Sequence, residues 1–293
     1  MKPAPFDYHA PTSLDEAIGL VSSLDNAKLL AGGQSLVAMM NFRFVIPDHL
    51  IDLNGVSALA GISVAGETLR IGAMTRQRDL EFSSDIVKHC PLMREALRHV
   101  GHRQTRNRGT IGGSLAHADP SAELPLVCAA HDAVIEIAGA RGTRRVPFAE
   151  FGQGFMTTAV GLDEILTAVE LPLWPAGHGF GFHEFARRHG DFAIVGAAAL
   201  LALGKDKVVT RASVTLCGVA TAPLRMGDAE AKLTGRPLAR AAIRAAAATA
   251  RTIEPITDIH ATADYRRHLA EVLMARALAD AGRRAGVTLE GGA

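Results

Sequence analysis

The chain has 293 residues, enough for about two domains at ~100–200 residues each. Hydrophobic residues make up 48% and charged residues 21%, the balance of a folded globular protein rather than a disordered or fibrous one. Lys and Arg (31) nearly cancel Asp and Glu (30), and aromatic residues are few (11 Phe, 2 Tyr, 1 Trp), so neither the basic field nor the stacking surface of a general nucleic-acid binder is present.

In chain order, Met1 to Tyr8 has no apolar core to serve as a signal peptide. Thr12-Ser13-Leu14-Asp15-Glu16-Ala17 reads as a capped helix start, continued by Ile18, Leu20, Val21 and Leu24. Lys28 to Ala31 is a short buried strand running into Gly32-Gly33, and Leu50–Leu53 and Leu69–Gly72 read as further strands. The spacing predicts a helix over Ile86–Val100 with Pro91 near its start, and a Gly-rich loop over Asn107–Ser114. A helix over Pro120–Ala130 follows, then strands at Ala133–Ile137 and Glu164–Leu171.

The segment Pro172 to Gly179, with two Pro and two Gly, marks a domain boundary. This divides the chain into 1–175 and 176–286, with a loose tail at 287–293. Beyond the boundary, Gly181–Ala186, Ala193–Leu203 and Ala212–Val219 read as three strands, and Ala239–Thr252 and Tyr265–Gly282 as helices. The longest weakly polar run, Phe192–Gly204, is 13 residues against the ~20 that a membrane helix needs. Cys90, Cys128 and Cys217 are the three Cys and stand in no CxxC spacing. That excludes a disulfide framework and a zinc or iron–sulfur site built from this chain's thiolates. The expected compartment is the cytoplasm.

Two segments carry chemistry. In Ala31-Gly32-Gly33-Gln34-Ser35, two adjacent Gly let the backbone take positive φ and approach a ligand closely, and successive free N–H groups there suit an anion. The alternative is a tight turn with Ser35 as a helix cap. Neither GxGxxG nor GxxxxGK[ST] is present. The second segment, Arg106 to Glu123, repeats the pattern as Thr110-Ile111-Gly112-Gly113-Ser114, with Glu123 as a carboxylate able to accept from hydroxyls. Two such segments suggest two walls around one diphosphate, or two turns with polar caps.

Together, these segments and the trailing Asp119-Pro120-Ser121-Ala122-Glu123-Leu124-Pro125 resemble the FAD-binding medium subunit of the molybdenum hydroxylases, the family of xanthine dehydrogenase and aerobic carbon monoxide dehydrogenase. Phe185 to Ala193 and Tyr265-Arg266-Arg267-His268-Leu269 fit the same medium chains, so the resemblance covers nearly the whole length. It implies an α+β protein: a two-part FAD domain of the vanillyl-alcohol-oxidase (PCMH) type, then a small domain with a three-stranded antiparallel sheet and a helical bundle. By position, Leu30, Ala31, Gly32, Gly33, Gln34, Ser35, Leu36 and Val37, with Thr110, Ile111, Gly112, Gly113, Ser114 and Ala116, would hold non-covalent FAD. Glu123 replaces a family Asp, Leu166 is an apolar residue near the flavin, His183 stands where the xanthine-dehydrogenase branch has Lys, and Val100 where it has Phe.

Other constellations carry less. His99 and His102 lack the carboxylate of an HExxH site, and no GxSxG elbow supports acyl transfer. Arg98, Arg103, Arg106 and Arg108 could complement phosphate, dock an acidic partner or form a solvated face. Arg187-Arg188 with Asp191 could lie beside the flavin or brace the domain interface, and Arg240, Arg244 and Arg251 read as a solvated helix face, with a subunit contact as the alternative. The resemblance implies an electron-transfer subunit with no catalytic side chain and no metal of its own. A large molybdopterin subunit and a small [2Fe–2S] subunit would be its partners, in a dimer of heterotrimers. The alternatives are a self-contained FAD oxidoreductase with its own substrate pocket, and a cofactor-free scaffold.

Overall fold

The computed structural model describes residues 1–289. In chain order the elements are β1 (Asp7–His9), α1 (Leu14–Ser23), β2 (Ala27–Leu30), α2 (Leu36–Asn41), β3 (His49–Asp52), β4 (Ile62–Ala65) and β5 (Thr68–Gly72). Six short helices follow: α3 (Gln77–Phe82), α4 (Ser84–His89), α5 (Pro91–Leu97), α6 (Arg103–Arg108), α7 (Ile111–His117) and α8 (Glu123–Ala130). Then come β6 (Val134–Gly139), β7 (Gly142–Pro147), α9 (Phe148–Phe151), β8 (Gly152–Gly154), β9 (Thr157–Thr158) and β10 (Glu164–Pro172). The last part comprises β11 (Gly179–Phe185), β12 (Val195–Leu203), β13 (Val209–Cys217), β14 (Leu224–Arg225), α10 (Gly227–Leu233), α11 (Arg240–Ala247) and α12 (Ala263–Arg284).

The contacts divide the chain into two compact units that interleave in sequence. The first gathers 1–85, 102–118 and 133–172; the second gathers 86–101, 119–132 and 173 onward. A single cut at residue 175 does not describe this division, because two segments of the N-terminal half pack with the C-terminal elements.

The first unit holds a three-stranded parallel sheet, β1-β3-β2, and a five-stranded antiparallel sheet, β4-β5-β10-β6-β7. Helix α1 begins where the sequence places it: Ser13 accepts from the Glu16 N–H, and Glu16 returns a carboxylate to the Thr12 N–H. Its Ala17 and Val21 meet Ile51 and Leu53 of the parallel-sheet region and Ile165 of β10, so one core joins both sheets. In the second unit, α5 and α8 cover one face of the antiparallel sheet β11-β12-β13-β14, and α12 covers the other. On the α12 side Gly181 lies so close that a Cβ would stand 2.0 Å from the Ala277 carbonyl oxygen. Small residues on β11 and α12 thus set the helix-to-sheet spacing.

Four local expectations change. The helix over 86–100 is two, α4 and α5, because Pro91 starts α5 and holds Cys90 out of helical conformation. The Gly-rich stretch 107–114 is the end of α6, a turn at Gly109 and the start of α7. The sheet of the second unit has a fourth strand, β14, whose two residues are too few to show a period. Val287 is buried in the α12-side core with Leu289 against it, so the start of the expected tail is packed; 290–293 lie outside the described residues. Among the described residues no helix is long and apolar enough to cross a membrane.

Candidate cofactor site

Both Gly-Gly segments belong to the first unit, and the fold brings them into backbone contact. A Cβ on Gly32 would lie 2.3 Å from the Arg108 carbonyl oxygen and 2.7 Å from the Gly109 Cα, so the turn after β2 can sit against the turn before α7 only without a side chain. Gly33 takes φ +73°, the left-handed region, which redirects the chain into α2. Across the N–H groups of Gly33, Gln34, Ser35 and Leu36 no acceptor is met among the described residues. Four successive donors with no carboxylate bonded to them suit an anion such as a diphosphate.

The second segment differs from expectation in how its backbone is used. The N–H of Ile111 donates to the Thr75 carbonyl, that of Gly112 to Ala73, that of Gly113 to Thr110 Oγ1 at 3.0 Å, and that of Ser114 to the Thr110 carbonyl. These four N–H groups are therefore committed inside the protein, with Thr110 as the N-cap of α7. Gly112 is there for packing, since a Cβ would stand 2.5 Å from the Ala73 Cβ. What this segment can offer a ligand is the Ser114 hydroxyl and the surface of Gly113 and Ala116.

Sequence reasoning missed the side chains around this double turn, because they come from three separate segments. Tyr8 donates to Asp52 at 2.5 Å, and Asp52 accepts from Asn54. Despite partial burial, the hydrogen bonds from Tyr8 and Asn54 hold the Asp52 carboxyl below its ordinary range. Asn54 Nδ2 donates to the Ala31 carbonyl at 3.0 Å, and Arg76 donates both to Asn54 Oδ1 and to the Arg108 carbonyl. Leu166, on β10 in the same unit, is buried beside the β-bulge between Leu166 and Ala168.

Val100, Glu123 and His183 belong to the second unit. His183 leaves β11 on the α12 side, where Nε2 meets Asp280 Oδ2 at 2.9 Å. Its neighbour Glu184 points to the other face, with Oε1 3.3 Å from His99 Nδ1, whose ring lies 5.0 Å from that of Phe182. Val100 follows α5 in the chain. Glu123 opens α8 and is 8% exposed. The sheet therefore separates His183 from Glu123. Burial, reinforced by the Glu184 and Asp119 carboxylates, pushes the Glu123 carboxyl up to about 8.

Glu123 is thus neutral at pH 7, a hydroxyl donor rather than the acceptor its type suggests. In the unfolded chain it titrates near ~4.3. The folded state then binds the extra proton between those values, so stability falls as pH rises from about 4 to about 8. Glu123→Gln is expected to flatten that slope in a series of melting temperatures against pH. An unchanged slope would place the alkaline loss on other groups.

Of the arginines singled out in sequence, Arg106 pairs with Glu81 at 2.9 Å, Arg187 with Asp191 at 3.5 Å and Arg251 with Glu271 at 2.7 Å. Arg98 falls in the second unit, apart from Arg103, Arg106 and Arg108. Among the described residues no group of three or more His, Cys, Asp or Glu could hold a metal ion.

The comparison with known proteins gives this arrangement its family. Residues 4–174 match the model of the FAD binding domain in molybdopterin dehydrogenase, and residues 180–281 that of the CO dehydrogenase flavoprotein C-terminal domain. The chain belongs to the FAD-binding medium-subunit family of the molybdenum hydroxylases. It is 40% identical to the 6-hydroxypseudooxynicotine dehydrogenase complex subunit alpha of Paenarthrobacter nicotinovorans, over 99% of each chain. With the carbon monoxide dehydrogenase medium chain of Afipia carboxidovorans the identity is 38%, over 97% of this chain and 99% of that one. A chain of the carbon monoxide dehydrogenase structure from Hydrogenophaga pseudoflava superposes with a TM-score of 0.93 at 39% identity, covering 97% of this chain and 99% of the other. The two-domain fold expected from the sequence is that of the family, and the protein is an electron-shuttling flavoprotein subunit of the oxidoreductase class.

Proposed function

We propose that this subunit receives electrons from a [2Fe–2S] cluster on a small partner, fed in turn by a large molybdopterin subunit, and passes them to an external acceptor. The scarcity of Cys supports an iron–sulfur donor on another polypeptide. Bound FAD would supply a centre able to take electrons singly and release them in pairs. The chain's own residues bind and orient it. The N–H groups of Gly33, Gln34, Ser35 and Leu36 hold the diphosphate, Leu30, Ala31, Gly32 and Val37 shape that turn, and Ser114 adds a hydroxyl from the second segment. Thr110, Ile111, Gly112, Gly113 and Ala116 form the opposing surface, and Leu166 offers an apolar contact. Val100, Glu123 and His183 are carried in the cofactor set by the family resemblance.

The observation that carries this reading is the run of unpaired donors pressed against the second segment. A boundary at 175/176 between the two family domains, across which the packing units interleave, a cytoplasmic location and a dimer of heterotrimers complete the proposal. The relatives' names support a small organic molecule or carbon monoxide as the substrate of the whole complex. Purified, desalted protein is expected to be yellow and to release one FAD per chain on denaturation. Colourless protein that takes up no added FAD would overturn the assignment; flavin reduction by a small substrate without the partner chains would favour the self-contained oxidoreductase.

A further inference from the structure

We infer that Arg76 and Asn54 act together as a clamp that holds the two Gly segments in register for the cofactor diphosphate, as positioning residues that need not touch FAD. This rests on the FAD reading above. The bonds form one continuous path: the Arg108 carbonyl accepts from the Arg76 guanidinium, the same guanidinium donates to Asn54 Oδ1, and Asn54 Nδ2 donates to the Ala31 carbonyl at 3.0 Å. These carbonyls flank the place where the two turns meet, since the Arg108 carbonyl is what a Cβ on Gly32, the residue after Ala31, would strike.

The path is anchored at both ends. Asp52 accepts from the Asn54 N–H at 2.9 Å and from Tyr8, which fixes the Asn54 side. The Arg76 backbone forms an antiparallel bridge with Thr110, and the Gln77 N–H donates to the Gly109 carbonyl at 2.8 Å. Arg76 is half-buried, and a planar guanidinium reaches two acceptors at a fixed angle in a way that an ammonium does not. With the clamp intact, the unpaired N–H groups of Gly33 to Leu36 are held in one arrangement before ligand arrives, which lowers the ordering cost of binding.

The test uses the full chain after removal of its flavin, titrated with FAD, ADP and riboflavin. Arg76→Gln is expected to weaken FAD and ADP by a similar factor, about tenfold, while leaving riboflavin unchanged, since riboflavin carries no diphosphate. Asn54→Ala should do the same, and the double variant should lose little beyond either single one, as for two links of one path. Arg76→Lys should recover less than half of the lost affinity on a logarithmic scale. Melting temperatures of the flavin-free variants show that each is folded; if Arg76→Gln fails to fold, Asn54→Ala carries the test. FAD binding equal to the parent, losses that add in the double variant, or an equal loss of riboflavin would each overturn the clamp. A parent chain that binds no FAD would instead overturn the cofactor reading itself.

Discussion

Gly32→Val is expected to yield a chain that folds but binds FAD at least ~100-fold more weakly, about 3 kcal/mol. The cause is backbone rather than side chain. A Cβ at Gly32 would lie 2.3 Å from the Arg108 carbonyl oxygen and 2.7 Å from the Gly109 Cα, and neither atom can rotate away as a flexible side chain would. The turns must part, and the Gln34 to Leu36 donors move with the first of them. Gly33→Val adds left-handed strain of ~1–2 kcal/mol at φ +73° and should also lower occupancy. Gly113, whose Cβ would meet Thr110 Oγ1 at 2.9 Å and Ala31 Cβ at 3.3 Å, should be the mildest of the three. Gly19→Ala, on an open face of α1, is the control and should leave flavin content unchanged. Flavin released per mole of protein gives the answer, and full content in the Gly32 variant would falsify the two-segment cradle.

The largest stability effect is expected at Arg266, far in sequence from the Gly segments. Its side chain, 3% exposed, donates to the Ile194 carbonyl, to the Gly218 carbonyl at 2.7 Å and to Asp258 at 2.7 Å. The first two acceptors lie at the ends of β12 and β13 and have no ladder partner for that role. Arg266→Met keeps the apolar stem and removes the donors, so two carbonyls lose their partner at a cost of roughly 3 kcal/mol. Urea unfolding should show a lower midpoint with an unchanged slope. Partial burial works against the Asp258 charge, yet the His260 and Ala261 N–H groups and Arg266 hold its carboxyl at about 2. A depressed folded value means that this contribution is complete above about pH 4 and fades as pH falls toward 2. The Arg266 variant should therefore lose stability less steeply than the parent in acid.

Sequence alone reached the elements whose signals are local. The Ser13 cap, the alternation of β6 and the long apolar run of β12 all report a structure that their own neighbours determine. The Gly-Gly pairs were legible as ligand turns, yet Gly112-Gly113 lies within a helix. Gly has low helix propensity, and here close packing on Ala73 outweighs that preference. The break at Cys90 was half legible: Pro91 marks a helix start, but periodicity runs on across it. The Tyr8, Asp52, Asn54 and Arg76 path could not be read at all, because Tyr8 stands 44 residues from Asp52 and Arg76 22 from Asn54, and the group shares no motif. The placement of His183 and Glu123 on opposite faces of a sheet needed the register of β11 against α12.

The interleaving of the two units limits how this protein can be taken apart. A fragment ending at Pro175 would retain Leu92, Met93, Leu97, Leu124, Leu126 and Val127, all fully or nearly fully buried in the intact chain against elements that the fragment lacks. It would present that apolar surface to water. The reverse fragment would lack α5 and α8, leaving one side of its sheet bare. Recombination between relatives at the apparent boundary is therefore a graft of mismatched halves.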